Sequence, residues 1–225
     1  MDVDFRNQIW LTYVIWAALT IAAILALFLG FYWIALVAMA TFALSLVPTI
    51  FAARFDIRLP RSFVAFIVIF VFASIFLGDT LKFYDRYPWW DIILHGSASV
   101  GLGLVGFLFV FMLFEGDRYA APPLALAVIS MCFAMAFGVV WEIFEFSADQ
   151  LFGLNLQKTG LVDTMWDLIV DTIGAFLGAT AGYLYLKGRR FGGLVFLIRA
   201  FIQENKSFYR KHAWKRRARK DKDNK

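Results

Sequence analysis

The chain contains one cysteine, and basic side chains are scarce before residue 187. The single cysteine, Cys132, lies in an apolar run, which excludes an intramolecular disulfide and a cysteine-based zinc site. Eight of the 22 lysines and arginines precede Lys187, so the formal net charge of +5 describes a basic C-terminal segment rather than the whole molecule. Polar stretches are also scarce, because 61% of the residues are hydrophobic and the mean hydropathy is +0.70. A soluble globular domain, which is about half apolar, is therefore excluded.

The apolar residues fall into runs of about twenty, the length that a helix needs to cross a hydrocarbon core about 30 Å thick. The sequence therefore predicts an all-α, multi-pass membrane bundle of six transmembrane helices. Their predicted ranges are 9–29, 31–53, 63–81, 91–114, 124–146 and 165–187. Arg6 is the one basic residue before the first apolar run, and a second apolar run follows almost at once. A cleaved signal peptide is therefore not expected.

Two predicted domains follow from the change in composition near residue 190. Residues 1–190 form the six-helix transmembrane domain, and residues 191–225 form an interfacial helix and a basic cytoplasmic tail. The apolar stretch 191–202 is too short to span a bilayer and suits a helix lying in the membrane interface. Lysines and arginines dominate from Lys206 onward. Beside a transmembrane helix, this favours membrane lipids as the tail's partner over nucleic acid.

Basic residues predict the orientation of the helices. An even number of spans places both termini on one side, together with the loop that carries Arg54, Arg58 and Arg61. Because cytoplasmic loops carry an excess of lysine and arginine, that side is predicted to be cytoplasmic. The opposite side collects nine of the seventeen acids: Asp79, Asp85, Asp91, Glu142, Glu145, Asp149, Asp163, Asp167 and Asp171. Of these, Asp85 and Asp149 are expected in loops.

Two groups of three acids mark the facing ends of the fifth and sixth spans. On a helix, positions i, i+3 and i+7 share one face, as do positions i, i+4 and i+8. The first group is Glu142, Glu145 and Asp149, and the second is Asp163, Asp167 and Asp171. A carboxylate buried at membrane depth without a partner must bind a cation, take up a proton or leave the membrane. The pattern therefore predicts a site, with pairing to basic residues or exposure in loops as the structural alternative.

Asp91 and His95 lie one helical turn apart at the predicted outer end of the fourth span. A carboxylate beside an imidazole fixes its tautomer, raises its basicity or shares a metal with it, although an aspartate at a helix start also serves as a cap. Oxygen ligands with one imidazole suit Mg, Mn, Ca or Zn, so a divalent metal ion is predicted without a choice among them.

These considerations assign a predicted role to each candidate residue. The predicted catalytic residues are His95, Glu142 and Asp167. The predicted metal ligands are Glu145, Asp163 and Asp171. The predicted substrate-binding residues are Asp79, Asp91, Trp141 and Trp166. For the two tryptophans, anchoring at the membrane interface is the first interpretation and shielding of the site the second.

Small residues are spaced so that these helices can meet closely. Glycines recur between Gly96 and Gly106 in the fourth span and at Gly174, Gly178 and Gly182 in the sixth. Small side chains four residues apart let helix backbones approach each other. The fourth, fifth and sixth spans are therefore expected to be mutual neighbours, with His95 close to the acids of the other two.

At these residues the chain resembles the YjdF-like uncharacterised bacterial inner-membrane proteins. The motifs that carry the resemblance are Tyr87-Pro88-Trp89-Trp90-Asp91, Leu94-His95-Gly96, Trp141-Glu142-Ile143-Phe144-Glu145 and the stretch 163–175. The order of these motifs is similar, more distantly, to that of the VanZ-like proteins, from which Asp171 and Glu145 depart. The resemblance covers about residues 79–186 and implies a protein of the bacterial cell envelope. It implies no activity, because the family has no settled one.

Three functions fit these features. The leading hypothesis is an envelope enzyme, a hydrolase or transferase, that acts on a lipid-linked or amphiphilic substrate with a metal that activates water or a phosphate. The second is an ion- or proton-coupled carrier that uses the same acids in transit. The third is a non-catalytic binding protein for an envelope component. A carrier needs a path to the cytoplasmic side, and the inner halves of the spans carry no ionisable residue to line one.

Overall fold

A computed structural model describes residues 8–114, 121–189 and 192–206. The helices in this part of the chain are α1 (Trp10–Phe28), α2 (Tyr32–Arg54), α3 (Arg61–Val71, continued by a π-helix over Phe72–Thr80), α4 (Phe83–Arg86), α5 (Trp89–Leu113), α6 (Pro123–Phe152), α7 (Leu161–Leu186) and α8 (Gly193–Glu204). No strand occurs among the described residues. Six helical segments are long and apolar enough to cross a membrane, which confirms the predicted all-α fold with six spans.

The fifth and sixth spans are longer than predicted, and the loop between them is shorter. Helix α6 continues to Phe152 and ends at Gly153, which adopts the left-handed conformation (φ 65°) that often terminates helices. Asp149, which was expected in a loop, is therefore helical. Its carboxylate accepts hydrogen bonds from the backbone N–H groups of Leu156 (2.7 Å) and Gln157 (2.9 Å). The hydropathy of a run marks where apolar residues stop, whereas the helix continues through polar residues and its carboxylate at Asp149 binds the loop that follows.

The exit of the third span also differs from the prediction. From Phe72 the α-helix widens into a π-helix, a form that is rare and usually confined to a single turn. Gly78 lies against the ring of Tyr84, which leaves no space for a Cβ atom, and the hydroxyls of Ser74 and Tyr84 are 3.2 Å apart. Asp85, which was also expected in a loop, lies in the short helix α4. Apolar periodicity carries no signal for this local change of winding.

The described residues belong to two compact units. The first contains residues up to Trp90 together with Ala200–Asn205. Helices α1, α2 and α3 pack together there, and the chain turns tightly between α1 and α2 at Gly30 (φ 78°). The apolar core of this unit contains Ile15, Leu19, Ala23, Ala38, Val64 and Val68.

The end of α8 is attached to the loop between α2 and α3. Asn205 is 2% exposed, and its side chain accepts a hydrogen bond from the Arg58 N–H and donates one to the Arg58 carbonyl, both at 2.8 Å. The ring of Phe201 lies 6.0 Å from that of Phe63. Helix α8 (Gly193–Glu204) overlaps the stretch 191–202 for which an interfacial helix was predicted, and its position in a membrane interface stays a prediction. The basic tail beyond Lys206 lies outside the described residues.

The second unit contains Asp91–Arg199, and its helices α5, α6 and α7 meet through glycines as predicted. A Cβ atom at Gly174 would lie 2.7 Å from the carbonyl oxygen of Gly96, and one at Gly106 would lie 3.0 Å from that of Ser130 on α6. At Gly178 a Cβ atom would lie 2.9 Å from the Cα atom of Gly103. Since all these neighbours are backbone atoms, only glycine permits these distances.

Candidate metal centre

Three helices of the second unit each contribute polar side chains to one cluster. Asp91, His95 and Ser99 share a face of α5, because positions i, i+4 and i+8 lie one above the other. Helix α6 contributes Glu142, and α7 contributes Asp167 and Asp171, again one turn apart. The glycine contacts between α5 and α7 bring these faces together. We call this group, Asp91, His95, Ser99, Glu142, Asp167 and Asp171, the acidic cluster.

The imidazole of His95 lies at the centre of the acidic cluster. Its Nε2 atom is 3.7 Å from Oδ1 of Asp91. Its Nδ1 atom is 3.4 Å from Oδ1 of Asp171 and 4.0 Å from Oε1 of Glu142. His95 is 8% exposed, so these contacts are made largely away from solvent. The expectation that His95 lies close to acids of both the fifth and the sixth spans is confirmed.

Asp171 is enclosed on three sides. The hydroxyl of Ser99 donates a hydrogen bond of 2.6 Å to its Oδ1 atom, and the ring of His95 faces the carboxylate. On α6, Gly138 faces the other oxygen so closely that a Cβ atom there would collide with it. Asp171 is 3% exposed and Ser99 is 1% exposed. The carboxylate is therefore held in place by its surroundings.

Two other acids of the cluster have buried oxygens without partners. Both carboxylate oxygens of Glu142 and Oδ2 of Asp167 form no hydrogen bond within the described residues. Glu142 is 4% exposed and Asp167 is 3% exposed. No lysine or arginine occurs in α5, α6 or α7, and in the described part of the chain none forms an ion pair with either acid. A buried charge without a partner is costly, so the cluster favours an added cation.

Asp91, His95 and Asp167 are the residues best placed to hold such a cation. One ligand atom from each lies within 4.8 Å of the other two. Two ligands at about 2.1 Å from one ion are at most about 4.2 Å apart, so small side-chain rotations bring the three into coordination distance. Two carboxylates with one imidazole suit a divalent metal ion, and three protein ligands leave coordination positions open.

Other predicted site residues do not belong to this group of three. Glu145 accepts a hydrogen bond of 2.9 Å from the indole N–H of Trp141, and Asp163 accepts one of 3.1 Å from the backbone N–H of Lys158. Both were predicted as metal ligands and lie outside the group of three; that role stays a prediction. Trp141 is 50% exposed and Trp166 58% exposed. Asp79 is exposed and belongs to the first unit.

Sequence reasoning missed two contributors to the site, Ser99 and Gly138. Ser99 continues the α5 face by one turn after His95, so extending that face along the helix would have found it. Gly138 lies one turn before Glu142 on α6 and makes room for Asp171. No sequence pattern distinguishes this glycine from those that serve helix packing alone.

This chain belongs to the DUF2238 family of predicted membrane proteins, whose family model matches residues 8–188 and so includes the whole acidic cluster. An uncharacterized protein of Thermotoga maritima is 34% identical over 122 residues, which cover 54% of this chain. The matched part spans 62% of the relative's length, less than two thirds of it. No solved structure matches the chain.

Proposed function

We propose that this membrane protein is a metal-dependent enzyme, a hydrolase or transferase that acts on a lipid-linked or amphiphilic substrate. The observation that carries the proposal is the approach of Asp91, His95 and Asp167 within 4.8 Å, beside buried carboxylate oxygens that accept no hydrogen bond from any described residue. A divalent ion held by these three residues would act as a Lewis acid or lower the pKa of a bound water. Residues of this chain would bind the metal, act as the general base and contact the substrate.

Glu142 fits the role of general base or acid. Both of its oxygens lack hydrogen-bond partners in the part of the chain that the structure describes. The Oε1 atom lies 4.0 Å from His95, next to the proposed ligands but outside their group. A carboxylate in this position can accept a proton from a nucleophile near the metal and deliver it to a leaving group. A carboxylate beside the proposed ligands but outside their group favours an enzyme over a protein that only binds an envelope component.

Asp91 is the one member of the acidic cluster that is not buried. The side chain of Asp91 is 25% exposed, whereas those of His95 and Asp171 are 9% and 5% exposed. Exposed aromatic rings occur on the same helix ends, including Trp141 and Trp166. A polar centre at the end of membrane-spanning helices suits a substrate with a polar head and an apolar body, which is why we favour an amphiphile over a soluble metabolite.

The ion- or proton-coupled carrier is less favoured by the packing of the second unit. From Val100 in α5 and from Thr172 in α7 to the end of each helix, the chain contains no aspartate, glutamate, histidine, lysine or arginine. Gly103 and Gly178 approach backbone to backbone in this region, and the rings of Phe107 and Phe111 stack 5.7 Å apart. A polar path through these helices would need them to separate.

Metal content tests the proposal directly. Wild-type protein purified in detergent, stripped with a chelator and reloaded with Mn²⁺ or Zn²⁺, is expected to retain about one ion per chain, because three ligands are already close together. Asp91→Asn is expected to lose most of this retention. Asp149→Asn is the matched control, since it alters an acid of α6 that binds only the loop. Equal retention by wild type and Asp91→Asn would refute the metal centre.

We further propose that the protein lies in the cell inner membrane with both termini in the cytoplasm. The basis is the exposed arginine loop, Arg54, Arg58 and Arg61, together with the basic residues after Lys187. As part of this proposal, we take the resemblance to YjdF-like and VanZ-like proteins to place the protein in the bacterial cell envelope. In this orientation the acidic cluster faces away from the cytoplasm.

A reporter fused after Lys225 is expected to behave as a cytoplasmic protein, because the positive charges hold that end inside. The same reporter inserted into the loop of residues 153–160 is the control, and it is expected to behave as an exported protein. An exported reporter after Lys225 together with a cytoplasmic reporter in the loop would place the acidic cluster on the cytoplasmic side.

A further inference from the structure

We infer that Asp171 and Ser99 are positioning residues that fix the tautomer of His95, with the proton on Nδ1 and the lone pair of Nε2 directed to the metal. The inference rests on the proposed metal centre and assigns a role within it. It differs from the sequence-based prediction, which made Asp171 a metal ligand.

The surroundings of the ring distinguish its two nitrogens. Nδ1 faces two buried acids, Asp171 at 3.4 Å and Glu142 at 4.0 Å, whereas Nε2 faces Asp91 at 3.7 Å. Asp91 is also one of the three residues whose ligand atoms approach one another, and Asp171 is not. A metal bound by Asp91 and His95 therefore lies on the Nε2 side of the ring.

Asp171 is held too firmly to move to that side. One oxygen accepts the short hydrogen bond from Ser99, and the other lies against the backbone of α6 at Gly138. Ser99 is itself 1% exposed and sits where α5 meets Gly174 of α7. The carboxylate is fixed as an acceptor beside Nδ1, which is the arrangement in which an outer carboxylate orients a metal-binding histidine.

Asp91 has the opposite character. Its side chain is 25% exposed, and it lies 3.7 Å from the ring of His95. It can rotate to meet an ion, while Asp171 stays in place. Because the Asp91 side chain is free to rotate and that of Asp171 is not, we assign Asp91 as the metal ligand and Asp171 as the positioning residue.

Nitrogen NMR of the ring tests this assignment. The chain has two histidines, so His212→Gln leaves His95 as the single source of ¹⁵N-imidazole signals in labelled protein. In lipid nanodiscs loaded with Zn²⁺, we expect the metal-bound signal at Nε2 and a bonded proton at Nδ1. Zinc on Nδ1 in this otherwise wild-type protein would overturn the inference.

Two variants extend the test. Asp171→Asn replaces a charged acceptor by a weaker neutral one, and Ser99→Ala removes the hydrogen bond that holds it. We expect Zn²⁺ affinity to fall about 10–100-fold in Asp171→Asn, and by less in Ser99→Ala, with a mixture of tautomers in both. Asp149→Asn, the control, should change neither. A folded Asp171→Asn with unchanged affinity and tautomer would also overturn the inference, and Ser99→Ala decides by the same readouts if Asp171→Asn does not fold.

Failure of the metal centre and failure of this inference give different results. If wild type binds no Zn²⁺, the proposed centre is wrong. The tautomer is then read from the metal-free ring at a pH where it is neutral. A single Nδ1–H form that is lost in Asp171→Asn supports the positioning role, and an Nε2–H form contradicts it.

Discussion

Asp167→Asn is expected to abolish metal retention and yet to keep or raise the stability of the metal-free protein. The carboxylate is 3% exposed, and its Oδ2 atom has no hydrogen-bond partner among the described residues. Without a metal, its charge adds to those of the neighbouring acids and is poorly solvated. An amide at the same position keeps the shape and removes the charge, which we expect to add about 1 kcal/mol or more to the free energy of unfolding.

The alternative is that Asp167 is part of a structural ion pair. In that case Asp167→Asn would leave a buried cation without a partner and lower the stability by about 3–5 kcal/mol. A protonated His95 is the nearest candidate for that cation. It would keep its acidic partners in the variant, because Asp91, Asp171 and Glu142 lie within 4.0 Å of its ring. The two interpretations therefore predict changes of opposite sign.

Thermal unfolding of chelator-treated wild type and Asp167→Asn in the same detergent distinguishes them. Asp149→Asn is again the control: it places an amide donor against one of two backbone N–H groups, so a loss of about 1–3 kcal/mol is expected with metal retention unchanged. A marked loss of stability in metal-free Asp167→Asn would contradict the metal centre.

Gly178→Ala is expected to have the largest effect on folding. The added Cβ atom would lie 2.5 Å from the carbonyl oxygen of Val100 and 2.9 Å from the Cα atom of Gly103. Both are backbone atoms of α5, so the two helices must move apart. Overpacking of this kind costs about 1–3 kcal/mol, and we expect the upper part of that range because no flexible side chain can yield.

The same substitution should also impair the site. Asp91 and His95 lie on α5 and Asp167 lies on α7, and such ligands must be held within about 0.5 Å of their working positions. We therefore expect Gly178→Ala to reduce metal retention as well as thermal stability. Gly193→Ala is the matched control, because a Cβ atom at Gly193 meets nothing within 4 Å. Equal unfolding temperatures for the two variants would show that α5 and α7 are not in close contact.

The number and approximate position of the spans follow from the sequence because crossing a bilayer is a local requirement on the chain. About twenty apolar residues suffice to define a helix of the required length, wherever its neighbours are. The cost of burying carboxylates is equally local, which is why Glu142, Asp167 and Asp171 were predicted to serve a site. The facing ends of α6 and α7 lie beyond the predicted limits because both helices continue through polar residues, such as Asp149 and Asp163, that an apolar run does not include.

The roles within the acidic cluster were decided by tertiary structure. Glu142 and Glu145 lie about 60° apart around α6, since each residue turns the helix by about 100°. The first points to His95, and the second is bound by Trp141. Which of them faces the centre depends on how α6 is rotated against α5 and α7, and backbone contacts at glycines set that rotation. The sequence alone determined that there are six spans and that the last three of them carry acids and one histidine. Only the packing of the helices decided that Asp167 approaches Asp91 and His95 while Asp171 is held by Ser99, because these distances join residues that are far apart along the chain.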